Sequence, residues 1–245
     1  MRSVRRTLGV LRAFSARQPE RSLTEIAARA KLDLGTTRRI LAALAAEGVV
    51  AHHATSRLYR LDLGVLELAG AVAEGGDLRA HAQTAVETIA RETGNTAFFG
   101  VHRDGEALCF ARAEGGAVVL LRWWTLGGRM PLHCGAAPKM LLAHLPTADI
   151  ETVLAGSLTA FTSRGETSPL ALRKELARIR RQGFAHAADD IVHGVAGLAV
   201  PVHGRDGAVR GALSIAGLTP QFSPAIRQEL LATLRAQAER LRAVG

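Results

Sequence analysis

The sequence predicts an α+β protein in two parts: an N-terminal winged helix-turn-helix and a larger domain of mostly antiparallel sheet with flanking helices. Three observations carry this. Positive charge is concentrated in the first quarter of the chain. That same quarter reads as three short amphipathic helices followed by a hairpin. Beyond it, strand-like runs joined by Gly-containing turns alternate with capped helices.

The net charge of the 245 residues is +9. Residues 1–61 hold 12 Arg or Lys and 4 Asp or Glu, a net of +8, and residues 62–245 hold 19 and 18, a net of +1. A composition bias toward Arg would raise both parts equally, so the split points to a polyanion reader joined to a near-neutral module. With 48% apolar and 22% charged residues, the chain can bury a real core. No apolar run reaches the roughly 18 residues a membrane span needs. The basic start lacks the apolar core and cleavage site of a secretory signal, so the chain reads as cytoplasmic, on the nucleoid when DNA-bound. Two cysteines, Cys109 and Cys134, supply neither a disulfide framework nor a CxxC zinc pair.

Taken in order, Val4, Leu8, Val10, Leu11 and Phe14 fit one side of a first helix that ends before Gln18-Pro19. Ser22-Leu23-Thr24-Glu25 is a capping box opening a second helix, with Leu23, Ile26, Ala27 and Ala30 inward. Asp33-Leu34-Gly35 breaks it, and Thr36 starts a third, with Ile40, Leu41 and Leu44 on its apolar side and Gly48 at its end. Val49–Ala51, a polar turn over His52–Arg57, and Leu58–Leu61 form the hairpin. The predicted winged helix-turn-helix is residues 1–61. An amphipathic linker helix follows, 62–76, stopped by Gly75-Gly76 at the domain boundary. Its apolar positions, with Val4, Leu8 and Leu11, are the expected dimer seam.

The second domain, 77–245, begins with a helix from Asp77 to Arg91. Three strand-like runs follow, Thr96–His102, Ala107–Ala113 and Val118–Trp123, with Asp104-Gly105 as a hairpin signal between the first two. Helices are expected over Ala136–Leu145 and Thr147–Ala155, and a third from Ser168-Pro169 to Gly183. Strands Val195–Val202 and Ala208–Ile215 flank Arg205-Asp206-Gly207, and Ser223-Pro224 caps the last helix.

A recognition helix places its first turns in the major groove, which selects Thr36, Thr37, Arg38 and Arg39. Arg grips guanine bidentately, and Thr reaches phosphate or packs on a thymine methyl. His52, His53 and Arg57 at the hairpin tip, and Ser22 at the start of the second helix, complete the candidate DNA-contacting set. The partner is double-stranded DNA. His52-His53 lacks a neighbouring carboxylate or cysteine that would make it a metal site.

Ser22-Leu23-Thr24-Glu25-Ile26-Ala27, Arg39–Leu44 and Glu47-Gly48-Val49-Val50 resemble the DNA-binding domain of isocitrate lyase regulator (IclR)-type bacterial transcription factors. The resemblance continues through Pro131-Leu132-His133, Lys139–Ala143, Gln182-Gly183-Phe184, Gly194, Leu198–Val202 and Leu213–Gly217, nearly the whole chain. It implies a winged helix, a linker helix and an effector-binding domain of GAF/PAS-like fold. It further implies dimers or tetramers on palindromic operators, more often as repressors, controlled by small organic acids or aromatics, with no cofactor. Asp189-Asp190 stands where the family usually has Glu-Glu, Pro138 where it has Gly, and Leu34-Gly35 where it has a Lys-Ser-like pair. By position, Gly197 and Ser214 fall on its effector site.

Read from the residues alone, Gly135, Ala136 and Ala137 before a helix offer open backbone N–H groups that suit an anion, or are simply packing. Cys134 adjoins them. Asp189, Asp190 and His193 lie in a loop or short helix whose spacing fits a metal set or a paired carboxylate, against a plain surface reading. His133-Cys134 raises a thiol nucleophile, but neighbours on an extended strand point to opposite faces. Trp123-Trp124 offers one ring to a pocket, a core or an interface. The candidate effector set is Cys134, Gly135, Ala136, Ala137, Asp189, Asp190, Gly197 and Ser214, for a small carboxylate. The competing class is a thiol- or metal-dependent hydrolase with a nucleic-acid module, for which no G-x-S-x-G, H-E-x-x-H or P-loop is present.

Overall fold

The computed structural model describes residues 2–15, 18–74, 77–116 and 123–243. The chain divides into two compact units, Met1–Gly76 and Asp77–Gly245.

The first unit contains α1 (Arg2–Leu11), β1 (Glu20–Arg21), α2 (Leu23–Ala30), α3 (Leu34–Ala46), β2 (Val50–His53), β3 (Leu58–Leu61) and α4 (Gly64–Glu74). The capping box forms as expected: Glu25 N–H donates to Ser22 Oγ, and Ser22 N–H donates to the Glu25 carboxylate. Lys31, at φ 55°, ends α2 in the left-handed region. The third helix starts two residues before Thr36, because Asp33 rather than Thr36 is its N-cap. The Asp33 carboxylate accepts the Thr36 N–H at 2.7 Å, the more favourable arrangement at the positive end of a helix dipole. Val10, Ala13, Phe14, Ile26, Leu41 and Val50 form the core. Phe14 thus joins the core although α1 stops at Leu11.

The hairpin is antiparallel, and β1 adds to its outer side in the order β1-β3-β2. This two-residue strand escapes sequence reading because its residues, Glu and Arg, carry no strand signal. Strand β2 runs through His53, so the turn is shorter than expected and its tip is residues 54–57. His52 pairs with Tyr59 across the ladder, ring centroids 4.4 Å apart.

The second unit contains α5 (Asp77–Thr93), β4 (Thr96–Arg103), β5 (Glu106–Ala113), β6 (Arg129–Pro131), α6 (Ala136–Ala143), α7 (Thr147–Ala155), α8 (Pro169–Gln182), β7 (Ala185–Ala188), β8 (Val195–His203), β9 (Val209–Leu218), a 3-10 turn (Thr219–Phe222) and α9 (Pro224–Arg242). Its six-stranded sheet is ordered β6-β5-β4-β9-β8-β7, every described pairing antiparallel. Asp104 (φ 51°) and Gly105 (φ 79°) take the two left-handed positions of the β4–β5 turn, which matches strand twist. Ser168 caps α8 through its side chain, and Gly183 closes it at φ 72°. Ser223 stands at the N-cap of α9 but makes no side-chain cap bond there.

Strands β6 and β7 were not legible. The first is three residues containing a proline, and the second reads Ala-His-Ala-Ala, without β-branched residues. Of the expected strand 118–123, residues 118–122 lie outside the described residues, as does the Gly75-Gly76 stop; Trp123 lies in a bend.

Alternation along the strands divides the core in two. One face carries Ala97, Phe99, Leu198, Val200, Leu213 and Ile215 under α5 and α9. The other carries Phe98, Ala187, Ala199, Ala212 and Ala216 under α6 and α8. The first face is large and branched, the second mostly alanine. This difference positions the site, because small side chains on the second face leave space between the sheet and α6.

Candidate functional site

Arg38 and Arg39 are exposed on the first turns of α3, and Thr36 is partly exposed beside them. His52, His53 and Arg57 are exposed on the wing. One expected contact is corrected. Thr37 is fully buried and its hydroxyl donates to Asp33 O at 2.8 Å, so it ties the helix start together and presents nothing outward. Ser22 Oγ is engaged twice by Glu25, at 2.8 Å through its carboxylate and 3.3 Å through its amide. Thr37 lies three and four positions before Ile40 and Leu41, on the helix face that packs into the core.

In the second unit, Phe98, Trp123, Trp124, Gly135, Ala136, Ala137, Ala187, Asp190, Ile191, Gly197 and Ser214 line a cleft where β4, β8 and β9 pass beneath the start of α6. It holds about 440 Å³ of atom-free space, its open mouth included. Trp124 closes one side. Its indole N–H donates to Gly128 O at 3.0 Å, and its ring sits 5.5 Å from that of Phe98. A Cβ on Gly100 would lie 2.6 Å from the Trp124 ring, so only glycine admits the indole there. Gly197 is constrained similarly: a Cβ would stand 3.0 Å from Ile215 O and 3.6 Å from Ala136.

The start of α6 supplies the polar part. Gly135, at φ 78°, is its N-cap, and a Cβ there would lie 2.7 Å from Ile191. The N–H groups of Ala136 and Ala137 have no acceptor within the helix, and Pro138 has no N–H to offer. Gly135 N–H is already taken, donating to Asp190 Oδ2 at 2.8 Å. Ser214 is 4% exposed, and its hydroxyl makes no hydrogen bond among the described residues. Its alternation with Ala212 and Ala216 puts it on the cleft face of β9.

A family model described as "Bacterial transcriptional regulator IclR C-terminal" matches residues 70–243, and another, "IclR helix-turn-helix domain", matches residues 3–54. The chain belongs to the IclR family. Among its relatives, the glycerol operon regulatory protein of Streptomyces griseus is 32% identical, over 96% of this chain and 92% of that one. The HTH-type transcriptional regulator XynR of Escherichia coli (strain K12) is 30% identical, over 92% and 89%. An IclR homolog from Microbacterium hydrocarbonoxydans, crystallised with 4-hydroxybenzoate, is 26% identical with a TM-score of 0.85, over 98% of each chain. The protein is therefore a transcriptional regulator with a helix-turn-helix DNA-binding domain and a C-terminal effector-binding domain, and not an enzyme. Among the described residues, no helix is long and apolar enough to cross a membrane.

Within this IclR-family effector domain, the candidate residues separate. Gly135, Ala136, Ala137, Asp190, Gly197 and Ser214 come together in the cleft. Cys134 and Asp189 do not. Cys134 is buried in the core beside the cleft, its Sγ directed at Pro131 O, 3.5 Å away. Burial, then the charge of Asp190, pushes its thiol up to about 12, the opposite of an activated nucleophile. His133 is bonded to Thr159 O at 3.0 Å and does not serve it. The Asp189 side chain turns away to Arg164 at 3.1 Å and to Gly194 N–H at 2.6 Å. Among the described residues, no three His, Cys, Asp or Glu side chains gather into a metal-holding cluster.

Sequence reading missed Lys139 and Glu175. Lys139 is 4% exposed, its Nζ 3.1 Å from Asp190 Oδ2 and 3.2 Å from Glu175 Oε2. A lysine inside the otherwise apolar stretch Ala136–Ala143 was the available signal, since such a residue is buried only when paired. Burial lowers its pKa, but the two carboxylates more than offset this and hold it above the usual lysine value. Phe98 was missed because alternation cannot say which face of a sheet will carry a ligand.

Proposed function

We propose that the protein binds a two-fold symmetric operator as a dimer, more often silencing than activating transcription, and that a small aromatic monocarboxylate in the cleft changes its grip on DNA. The observation that carries this reading is the cleft itself: flat aromatic walls at Phe98 and Trp124, two open N–H groups on Ala136 and Ala137, and the free hydroxyl of Ser214. A ring slots against the aromatic wall, and its carboxylate meets donors at the positive end of α6. The relative crystallised with 4-hydroxybenzoate supports that ligand class.

Dimerisation is inferred from the first unit. Leu63, Leu66 and Leu68 are 69%, 66% and 64% exposed, and Val4 and Leu8 on α1 also face out. Leu11, by contrast, packs against the core and leaves the expected seam. That many exposed leucines on one small unit mark a surface that is covered in use. DNA contact rests on Thr36, Arg38, Arg39, His52, His53 and Arg57, with Ser22 held in the capping box at the start of α2. The protein works in the cytoplasm, where its DNA lies.

The test is a binding selection on genomic fragments, repeated with and without 4-hydroxybenzoate, while the fluorescence of Trp123 and Trp124 reports the cleft. A palindromic fragment whose affinity shifts as the tryptophan signal saturates supports the reading. A tryptophan signal indifferent to aromatic carboxylates overturns it.

A further inference from the structure

Asp190 is the one charged side chain lining the cleft among the described residues. It sits at the place an anionic ligand would use, its Oδ2 holding Gly135 N–H at the head of α6. Left alone, its negative charge would oppose a carboxylate on Ala136 and Ala137. It is not left alone. Lys139, one turn along α6 and outside the cleft lining, reaches the same Oδ2 from behind at 3.1 Å. Its other partner is Glu175 on α8, which in turn has Arg178 at 3.9 Å. Four charges of alternating sign therefore run from the cleft wall to the surface: Asp190, Lys139, Glu175 and Arg178. All but Arg178 are largely buried, where screening by solvent is weak.

We propose that Lys139 is a positioning residue that sets the charge selectivity of the cleft, acting through Asp190, and that Glu175 tunes it by competing for the same ammonium. This inference rests on the effector reading above. Lys139 does not touch the ligand. It cancels the one negative charge that faces the ligand among the described residues, and so lets α6 receive a monocarboxylate. Removal of the lysine turns the cleft against anions. Removal of Glu175 releases Lys139 to Asp190 alone and makes the cleft more welcoming to them.

The experiment measures, by tryptophan fluorescence of the full-length dimer, affinities for 4-hydroxybenzoate and for its uncharged analogue 4-hydroxybenzamide. The quantity read is the ratio of the two affinities, which a general loosening of the fold would leave in place. Lys139→Met lowers the acid-to-amide ratio about tenfold, the scale of one partly screened charge. Lys139→Met with Asp190→Asn returns it toward the wild-type value. Glu175→Gln, at a less buried position, raises it, and keeps the test decisive if Lys139→Met does not fold. A ratio that moves in opposite directions in the lysine and glutamate variants supports the proposal. Binding of both probes with a ratio unmoved by Glu175→Gln and Lys139→Met overturns it while the effector reading stands. No binding of either probe by any of the proteins overturns both.

Discussion

At the scale of single residues, the two surfaces make separable demands. Arg38 and Arg39 carry long exposed side chains on the first turns of α3, so in the proposed DNA reading replacing either with Ala removes a contact without touching the core. Each change is expected to weaken operator binding roughly tenfold to a hundredfold in band-shift titrations, with relaxed preference at one base pair for a base contact. Thr37→Val is the contrasting control: it loses a bond to Asp33 O inside the unit and should show up in thermal melting rather than in DNA contacts. In the cleft, Ser214→Ala should weaken effector binding about fivefold, the worth of one ordinary hydrogen bond. Cys134→Ser should leave it nearly unchanged, because the thiol is directed at Pro131 O and away from the lining. Equal losses in the two variants, measured by tryptophan fluorescence, would contradict this placement.

At the scale of elements, helix starts do more than their usual share. The carboxylates of Glu25 and Asp33 are held below their ordinary values, first by backbone N–H bonds from Ser22 and Thr36 and then by side-chain bonds from the same residues. A depressed folded-state pKa means stabilisation present above the ordinary carboxylate value and lost as pH falls through the lowered one. The starts of α2 and α3 are thus expected to fray on acidification below about pH 4. Amide exchange at Ser22 and Thr36, whose N–H groups the two carboxylates accept, would show it, and unchanged protection there at low pH would count against these caps. In the second unit, α6 is buried along its whole length, so Leu142→Ala should cost about 2–5 kcal/mol in urea unfolding. Gly197→Val tests the meeting of β8 and α6. Added bulk there meets Ile215 O and Ala136, and should abolish ligand response while the isolated DNA-reading function persists.

At the scale of the molecule, charge and apolar exposure are sorted between the units. A net of +8 in the first 61 residues predicts DNA affinity that falls steeply with salt through counterion release. A flat salt profile would refute a phosphate-reading surface. Exposed Leu63, just before α4, and Leu66 on it predict for the proposed dimer that Leu63→Ser with Leu66→Ser yields a monomer by light scattering, with loss of two-site binding and little change in the far-UV spectrum. A stable dimer in that double variant would move the seam elsewhere.

What the sequence determined by itself was whatever depends on neighbours within a few residues. The capping box at Ser22, the Asp104-Gly105 turn, the Ser168-Pro169 start and the Gly183 stop are local hydrogen-bond and dihedral requirements, readable from residue type and spacing. The charge split and the helix-helix-helix-hairpin order were equally legible, and with them the class of partner. Tertiary structure alone decided which of these residues meet. The head of α6 is closed by Asp190, 55 positions away, and Lys139 is shared with Glu175, 36 positions away. No periodicity encodes such encounters, because they arise from how β7, β8 and α8 pack around α6. The sequence could offer Gly135, Asp190 and Ser214 as candidates, yet also Cys134, Asp189 and Thr37, whose side chains burial and rotation direct elsewhere. Side-chain direction is set by which face of each element finds the core, and that is a property of the folded whole.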